Sequence, residues 1–289
     1  MTERNQTKRK IRKERKTPYD DLWRIPDALW EKIEPLLPPG KPHPLGCHNP
    51  AVEPRKAMDA IFFVLRTGCQ WNALNATGIC SSSAAHRWFQ EWTRAGVFLE
   101  LWKMGLIEYD RRKGIGWRWQ SLDGAMTKAP WGGKKSGPNP TDRAKRGVKR
   151  SLLTEVRGIP IGLAVAGANR HDSQLVQGTL ESIPIRRPTP TRTKPQHLFL
   201  DKAYVGDPVQ EVLKEFGYTA HVPPRGTQAQ AIKRQTRHKV RRWVVERTHS
   251  WMNRFRRILI RWEKKPENYF ALLHLVCALI TYRAAALLG

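Results

Sequence analysis

The sequence predicts an α/β fold, a mixed sheet flanked by helices and preceded by a small all-α domain. Three observations carry this prediction. Apolar residues recur at three- and four-residue steps up to about residue 112, strand-like runs begin after Gly114, and strands then alternate with helices. The chain of 289 residues is 40% apolar and holds 12 Trp, which is enough to bury a core in one or two domains.

The first part of the chain divides into a basic arm and a helical domain. Residues 1–17 are rich in Lys and Arg and nearly free of apolar residues, which predicts a disordered basic arm. Residues 18–112 then show a helix opening at Pro26, a second over 54–65, and a third capped by the serines at 81–83. This layout is helix-turn-helix-like, with Arg87 and Arg94 on the free face of the third helix, but an ordinary helical bundle has the same pattern.

Residues 113–289 are predicted to form the sheet domain. The expected strands are 117–123, 151–156, 159–166, 197–201 and 218–222, which gives a five-stranded sheet. A helix is expected over 207–216, and two long helices over 237–262 and 266–288. The Gly-, Pro- and Lys-rich stretch 124–150 is predicted to be an irregular loop, and loops of this length are often functional.

The charge balance indicates a polyanionic partner. The chain has 52 Lys and Arg against 25 Asp and Glu, a formal net charge of +27. Nucleic acid is the leading interpretation and an anionic membrane surface is the alternative. The four cysteines have no zinc-like spacing, which favours a reducing cytoplasm, and the apolar stretch 269–288 is expected to be a buried helix rather than a membrane span.

Three acids stand at positions that suit metal-dependent chemistry. Asp123 and Asp201 each close an apolar strand, and Glu246 lies within a helical, strongly cationic stretch. Ligands of open α/β sheets bind at the carboxyl ends of strands, and carboxylates are the donors that Mg²⁺ prefers. Two Asp and one Glu would suit two Mg²⁺ ions. The alternative is that each acid only neutralises the positive charge around it.

Several longer runs resemble a known family. SLDGAMTKAPWGGKKSG, HLFLDKAYVG and WVVERTHSWMNRFRRI resemble the DDE transposases of bacterial insertion sequences, specifically the insertion-sequence-five family, and WEKIEPLLPP resembles its helical N-terminal domain. The resemblance implies an RNase H-like core in which Asp123, Asp201 and Glu246 are the catalytic and metal-binding residues. It also implies phosphoryl transfer with two Mg²⁺ ions, for which Mn²⁺ is an expected substitute, and a DNA-binding role for the helical domain.

Cationic side chains are the expected DNA contacts. The family has a Tyr, Arg, Glu, Lys signature around its last acid, of which Arg242 and Glu246 are present, while Lys239 and Asn253 depart from it and Arg254 is adjacent. The stretch after Asp123 is expected to track the DNA backbone, although a solvated surface is the usual interpretation of such a run. Its cations are Lys128, Lys134, Lys135, Arg143, Lys145, Arg146, Lys149 and Arg150. Trp131 is the candidate for base stacking, because its loop is glycine-rich.

The expected function is therefore an insertion-sequence transposase that binds transposon ends and catalyses metal-dependent strand cleavage and strand transfer. Its expected partner is double-stranded DNA, as terminal inverted repeats and target, and a homodimer is expected in the synaptic complex. The expected location is the bacterial cytoplasm, on the nucleoid. The alternatives are a catalytically inactive, domesticated DNA-binding relative and a structural RNA-binding protein, which explains the charge but not the three acids.

Overall fold

A computed structural model describes residues 23–39, 52–222 and 243–286. Its first part is helical, and the predicted helices are confirmed there. These are α1 (Asp27–Ile33), extended by a 3-10 turn at Glu34–Leu36, then α2 (Pro54–Thr67), α3 (Ser82–Arg94) and α4 (Val97–Lys113). The predicted basic arm over residues 1–17 lies outside the described residues.

Capping residues explain where these helices begin and end. The Ser81 hydroxyl accepts a hydrogen bond from the backbone N–H of Ala84, 3.3 Å away, and so caps the start of α3. Gly68 ends α2 with a left-handed backbone, φ 73°, and its N–H donates to the Val64 carbonyl. Whether α2 and α3 read DNA as a helix-turn-helix stays a prediction.

The second part contains the sheet. Its strands are β1 (Trp119–Lys128), β2 (Gly137–Pro138), β3 (Arg146–Glu155), β4 (Pro160–Gly167), β5 (Gln196–Phe199) and β6 (Tyr218–His221). The order across the sheet is β4, β3, β1, β5, β6, with β2 pairing with the start of β3. β1, β3 and β4 are antiparallel neighbours, while β5 and β6 run parallel to β1. The predicted mixed sheet flanked by helices is confirmed, with β2 as an additional short strand.

The predicted loop 124–150 is wrong at both of its ends. β1 continues five residues beyond Asp123 to Lys128, and β3 begins at Arg146, so that Gly124 pairs with Ser151 and Lys128 with Gly147. Asp123 therefore lies within a strand rather than at its end. The two strands form a hairpin arm, defined here as residues 124–128 and 146–151, which extends past the parallel part of the sheet.

Helices cover the sheet. They are α5 (Val176–Glu181), α6 (Asp207–Glu215), α7 (Trp243–Met252) and α8 (Pro266–Ala284). The sequence missed α5, and it extended the helix predicted over 237–262 too far, because α7 ends at Met252. After α7 the chain joins the tip of the arm, where Arg261 N–H donates to the Lys128 carbonyl at 2.8 Å. Residues 237–242 lie outside the described residues.

The helical part and the sheet share one hydrophobic core. Trp102 of α4 stacks on His274 of α8 with ring centroids 5.6 Å apart, and its indole N–H donates to the Pro160 carbonyl of β4. Gly105 lets α4 approach Tyr282 of α8 closely. The boundary near residue 112 therefore stays a prediction. Within the described ranges, no helix is both long and apolar enough to cross a bilayer.

Candidate active site

Asp123 on β1 and Asp201 just after β5 lie at the same level of two neighbouring parallel segments. β1 and β5 pair in parallel up to Ser121 and Phe199, and each aspartate follows two residues later. The chain stays in register after β5, because Leu200 N–H donates to the His221 carbonyl of β6. Paired strands are about 4.8 Å apart, and residues two apart share a face. The two half-buried carboxyl groups therefore face the same side of the sheet edge.

Each aspartate is held by the backbone that follows it. Asp123 Oδ1 accepts a hydrogen bond from Gly124 N–H at 2.8 Å, and Asp201 Oδ1 accepts one from Lys202 N–H at 2.7 Å. The local hydrogen bonds fix the orientation of both groups.

A further acid, Asp172, lies beside this pair, on the 3-10 turn Asp172–Leu175. Its carboxylate contacts the position where a Cβ of Gly124 would stand, and Asp172 Oδ2 lies 2.9 Å from Lys149 Nζ. Lys149 also donates to the Arg170 carbonyl at 2.8 Å. Asp172 is not among the candidate site residues predicted from the sequence, and the sequence gave no signal for its contact with Lys149.

The acids create a region of negative potential in a strongly cationic chain. Tyr204 is buried next to it, and burial together with the charges of Asp172, Asp123 and Asp201 raises the pKa of its hydroxyl well above the ordinary value. All three carboxylates therefore act on one buried hydroxyl group. Sequence reasoning missed Tyr204, which the HLFLDKAYVG run places three residues after Asp201.

Glu246 lies on α7, which packs over β1 and β3. The Thr248 hydroxyl donates to the Gly158 carbonyl at 2.7 Å and fixes the helix to the turn between β3 and β4. His249 is buried, and burial and the nearby charge of Arg150 lower its pKa to about 3, while the Asp123 backbone acts in the opposite direction. His249 is therefore neutral near pH 7. Glu246 itself is exposed, one helical turn before His249.

The donor set suits a hard divalent cation, although the three acids are not gathered into one group. Across residues 23–39, 52–222 and 243–286, no three His, Cys, Asp or Glu side chains lie close enough together to hold one metal ion. The structure places Asp123 on β1 and Asp201 directly beyond the end of the adjacent β5, and it leaves Glu246 apart from them. The carboxylate oxygens of Asp123 and Asp201 share one sheet edge, and together with Asp172 they act on Tyr204. Oxygen donors of this kind are the ones that Mg²⁺ prefers.

Two of the predicted DNA contacts are instead parts of the interior. Lys149 and Arg150 belong to β3 and are only 7% and 2% exposed, which corrects their assignment to a DNA-tracking loop. Lys149 is bound by Asp172, and Arg150 donates to the Asn253 side chain at 3.0 Å. Their aliphatic stems pack in the sheet, while their charged ends bind groups distant in sequence.

The other predicted cations in the described ranges are exposed. Those on the arm and its tip loop are Lys128, Lys134, Lys135, Arg143, Lys145 and Arg146. Arg87 and Arg94 are exposed on α3, and Arg254 is exposed after α7. Arg242 lies outside the described residues. Exposure leaves these side chains able to meet phosphate, and their role stays a prediction.

Comparison with known proteins assigns both parts of the chain. A family model described as "Transposase DDE domain" matches residues 117–281, and one described as "Putative transposase of IS4/5 family" matches residues 25–102. The "Putative transposase for insertion sequence element IS402" of Burkholderia cepacia is 36% identical over 159 residues, which cover 53% of this chain and 71% of that protein.

Two further similarities are more limited. The "Insertion element IS402 uncharacterized 16.2 kDa protein" of Burkholderia cepacia is 36% identical over 120 residues, covering 40% of this chain and 80% of that protein. The crystal structure of the catalytic domain of Mos1 mariner transposase aligns with 65% of this chain and 90% of that domain, at 12% identity and a TM-score of 0.27.

Proposed function

The chain belongs to the DDE transposases of the IS4/5 type, and from this premise we propose that Asp123, Asp201 and Glu246 are its catalytic residues. The proposed reaction is cleavage of DNA at the ends of the element, followed by transfer of the freed 3′ ends to target DNA. The observation that carries the proposal is the parallel register of β1 and β5, which places Asp123 and Asp201 each two residues beyond the paired Ser121 and Phe199. Glu246 enters it through the family resemblance and its position on α7.

The acids would hold the metal and the rest of the chain would hold the acids. Two Mg²⁺ ions, or Mn²⁺ in their place, supply activation of the attacking hydroxyl group and stabilisation of the leaving oxygen when bound. Gly124 and Lys202 orient the two aspartates through their backbone N–H groups. Lys149 is paired with Asp172, and His249 is neutral. Neither side chain therefore adds an uncompensated positive charge that would compete with a metal ion for the three carboxylates.

The exposed cations would bind the DNA backbone. Phosphate contacts from Lys and Arg position DNA without reading its sequence, and they make the affinity fall with salt concentration. We assign this role to the six exposed cations of the arm and its tip loop, to Arg87 and Arg94 of α3, and to Arg242 and Arg254. The proposed partner is double-stranded DNA, as terminal inverted repeats and target. A homodimer that brings two ends together in the bacterial cytoplasm, on the nucleoid, completes the proposal.

Cleavage of a labelled duplex that carries the ends of the element tests the catalytic assignment. The comparison is between Mg²⁺ and EDTA, for wild type, Asp201→Asn and Glu246→Gln. We expect nicking at the ends with Mg²⁺ only, its loss in both variants, and DNA binding within about threefold of wild type, because neutralising an acid removes no phosphate contact.

Matched controls are Asp207→Asn and Glu215→Gln, which make the same chemical changes at exposed positions on α6. Both should cleave like wild type. Cleavage that survives Asp201→Asn would exclude the proposed acids. Tight binding without cleavage under any divalent metal would instead identify an inactive DNA-binding relative.

A further inference from the structure

A groove with a volume of about 740 Å³ opens between the helical part and the sheet part of the chain. Aromatic side chains line both of its walls. Trp71 and Phe89 stand on the helical side with ring centroids 5.4 Å apart, and Trp131 and Trp262 stand on the other side. The second wall consists of two loops, residues 129–136 and 259–265, which we call the platform.

Arg261 makes the platform rigid. This side chain is only 1% exposed, and it donates hydrogen bonds to backbone carbonyls in both loops. Its guanidinium reaches Lys134 at 2.8 Å in one loop, and Glu263 at 2.8 Å and Lys264 at 3.1 Å in the other. Gly133, with φ 98°, lies so close to the Lys264 backbone that a Cβ would not fit. The two loops are therefore held as one unit.

Trp131 is presented to solvent by this unit. It is 58% exposed, the most of any large hydrophobic side chain in the described part of the chain. Its ring meets Trp262 at an interplanar angle of 70°, with centroids 5.4 Å apart. An edge-to-face contact braces the ring and leaves a face open. Because this indole is exposed but already held in place, it loses little conformational entropy when a flat ligand stacks on it.

The groove is also positively charged. Lys264 and Lys265 are exposed on its edge, whereas the charge of Arg257 is compensated by Glu263 at 2.8 Å. Burial and the positive charges of Arg257 and Lys265 lower the pKa of His86 on the opposite wall, which keeps that ring neutral. Open aromatic faces beside uncompensated ammonium groups match the bases and phosphates of one nucleic acid strand.

We propose that this groove binds an unpaired nucleotide of the DNA substrate, with its base stacked on Trp131 and its phosphates near Lys264 and Lys265. Base faces are covered inside a duplex and become available only in single strands, frayed ends or extruded nucleotides. The inference rests on the proposed function, because it takes DNA as the substrate. It adds a site that recognises the unpaired state of the strand.

The position of the groove relative to the acids supports this occupant. The platform adjoins the tip of the arm, where Thr127 and Lys128 bond to the backbone of residues 259 and 261. Lys128 lies five residues beyond Asp123 on the same strand. At about 3.4 Å per residue, Lys128 at the edge of the platform is about 17 Å from Asp123 along the strand. A single strand passing the acids can therefore reach the groove within a few nucleotides.

Binding of the full chain to two DNA duplexes in EDTA tests the inference without cleavage. One duplex is blunt and the other carries a short unpaired tail containing 2-aminopurine, whose emission reports stacking. We expect Trp131→Ala to weaken binding of the tailed duplex about tenfold and to abolish the quenching of its tail, with blunt duplex binding unchanged. Trp131→Phe, which keeps an aromatic face, should stay within about threefold of wild type.

Two controls separate stacking from folding and from charge. Trp23→Ala removes another exposed indole, 39% exposed and outside the groove, and should change neither affinity. A tail of abasic sites keeps the phosphates and should bind to wild type as weakly as the normal tail binds to Trp131→Ala. Equal wild-type affinity for blunt and tailed duplexes, or equal losses for both in Trp131→Ala, overturns the inference. Loss of cleavage in the acid variants concerns the proposed function alone.

Discussion

The carboxylate of Asp172 occupies the space that a side chain at Gly124 would need. A Cβ built on Gly124 would overlap Asp172 Oδ1, and it would lie 3.4 Å from Asp172 Cγ and 3.5 Å from Lys149 Cδ. Gly124 directly follows Asp123, and its N–H donates to that side chain. The absence of a side chain at this one position thus brings the Lys149–Asp172 pair against the strand that carries the first catalytic candidate.

Gly124→Ala should therefore destabilise the fold and disturb the site. Overpacking of this kind costs about 1–3 kcal/mol, and we expect a loss in that range by urea denaturation together with reduced cleavage. Gly178→Ala is the matched control, since a Cβ there meets nothing within 4 Å and the residue lies in α5. Alanine is the better helix former, so this variant should gain up to about 1 kcal/mol. Equal stability of the two variants would contradict the steric argument.

The Lys149–Asp172 pair should show strong coupling in stability. The two side chains are 8% and 21% exposed, so Asp172→Asn leaves an ammonium group buried without a charged partner. Removing one member of a buried pair costs about 3–5 kcal/mol, whereas replacing both members is much less costly. We expect Lys149→Met/Asp172→Asn to be more stable than the sum of the single changes predicts. Additive losses in a double-mutant cycle would show that the pair does not interact.

The fold and the two aspartates could be predicted because their signals are local. Proline starts, serine caps and glycine stops lie within a few residues of the helix ends. The two acids follow apolar runs where the parallel pairing of β1 and β5 ends, although β1 itself continues past Asp123. The register that aligns Asp123 with Asp201 then follows from strand pairing.

The remaining features depend on partners distant in the chain. The sequence predicts Arg150 to be a cation of an exposed loop, yet its guanidinium donates a hydrogen bond to Asn253, 103 residues away. The helix predicted to reach Trp262 stops at Met252, and Arg261 beyond it binds carbonyls of residues 134 and 135 instead of facing solvent from a helix. No local sequence pattern contains these contacts. For the same reason the sequence predicted Trp131 as a candidate for base stacking but did not predict the groove around it.

The buried His249 and the half-buried His274 predict loss of stability in acid. Burial lowers the pKa of His249 to about 3 and that of His274 to about 4, from an ordinary value of 6.5. Below pH 6.5 the unfolded chain binds protons that the folded chain does not bind, so the free energy of unfolding falls as the pH drops toward 4. Each group contributes at most about 1.4 kcal/mol per pH unit.

His274→Phe isolates one of these contributions. Phenylalanine can keep the stacking on Trp102, and it cannot bind a proton. The variant should show a shallower fall in stability between pH 6.5 and 4.5, measured by urea denaturation at several pH values. An unchanged slope would exclude His274 as a source of the acid sensitivity.

Arg261→Lys should loosen the platform. Lysine keeps the charge, but it lacks the planar fork that reaches carbonyls in both loops. We expect a loss of about 1–3 kcal/mol in stability from the unsatisfied carbonyls, and weaker binding of tailed duplexes. Arg256→Lys, an exposed change five residues earlier, is the control and should leave both unchanged. Wild-type binding by Arg261→Lys would mean that the loops keep their arrangement without it.

The length of the hairpin arm fixes the distance between the acids and the platform. Because successive side chains alternate between faces, inserting one residue in β1 and β3 would turn the tip of the arm over, whereas inserting two would lengthen it by about 6.8 Å. That increment equals about two base steps of B-DNA. Related chains with longer arms would therefore be expected to vary in pairs of residues, and to engage the strand at correspondingly shifted nucleotides.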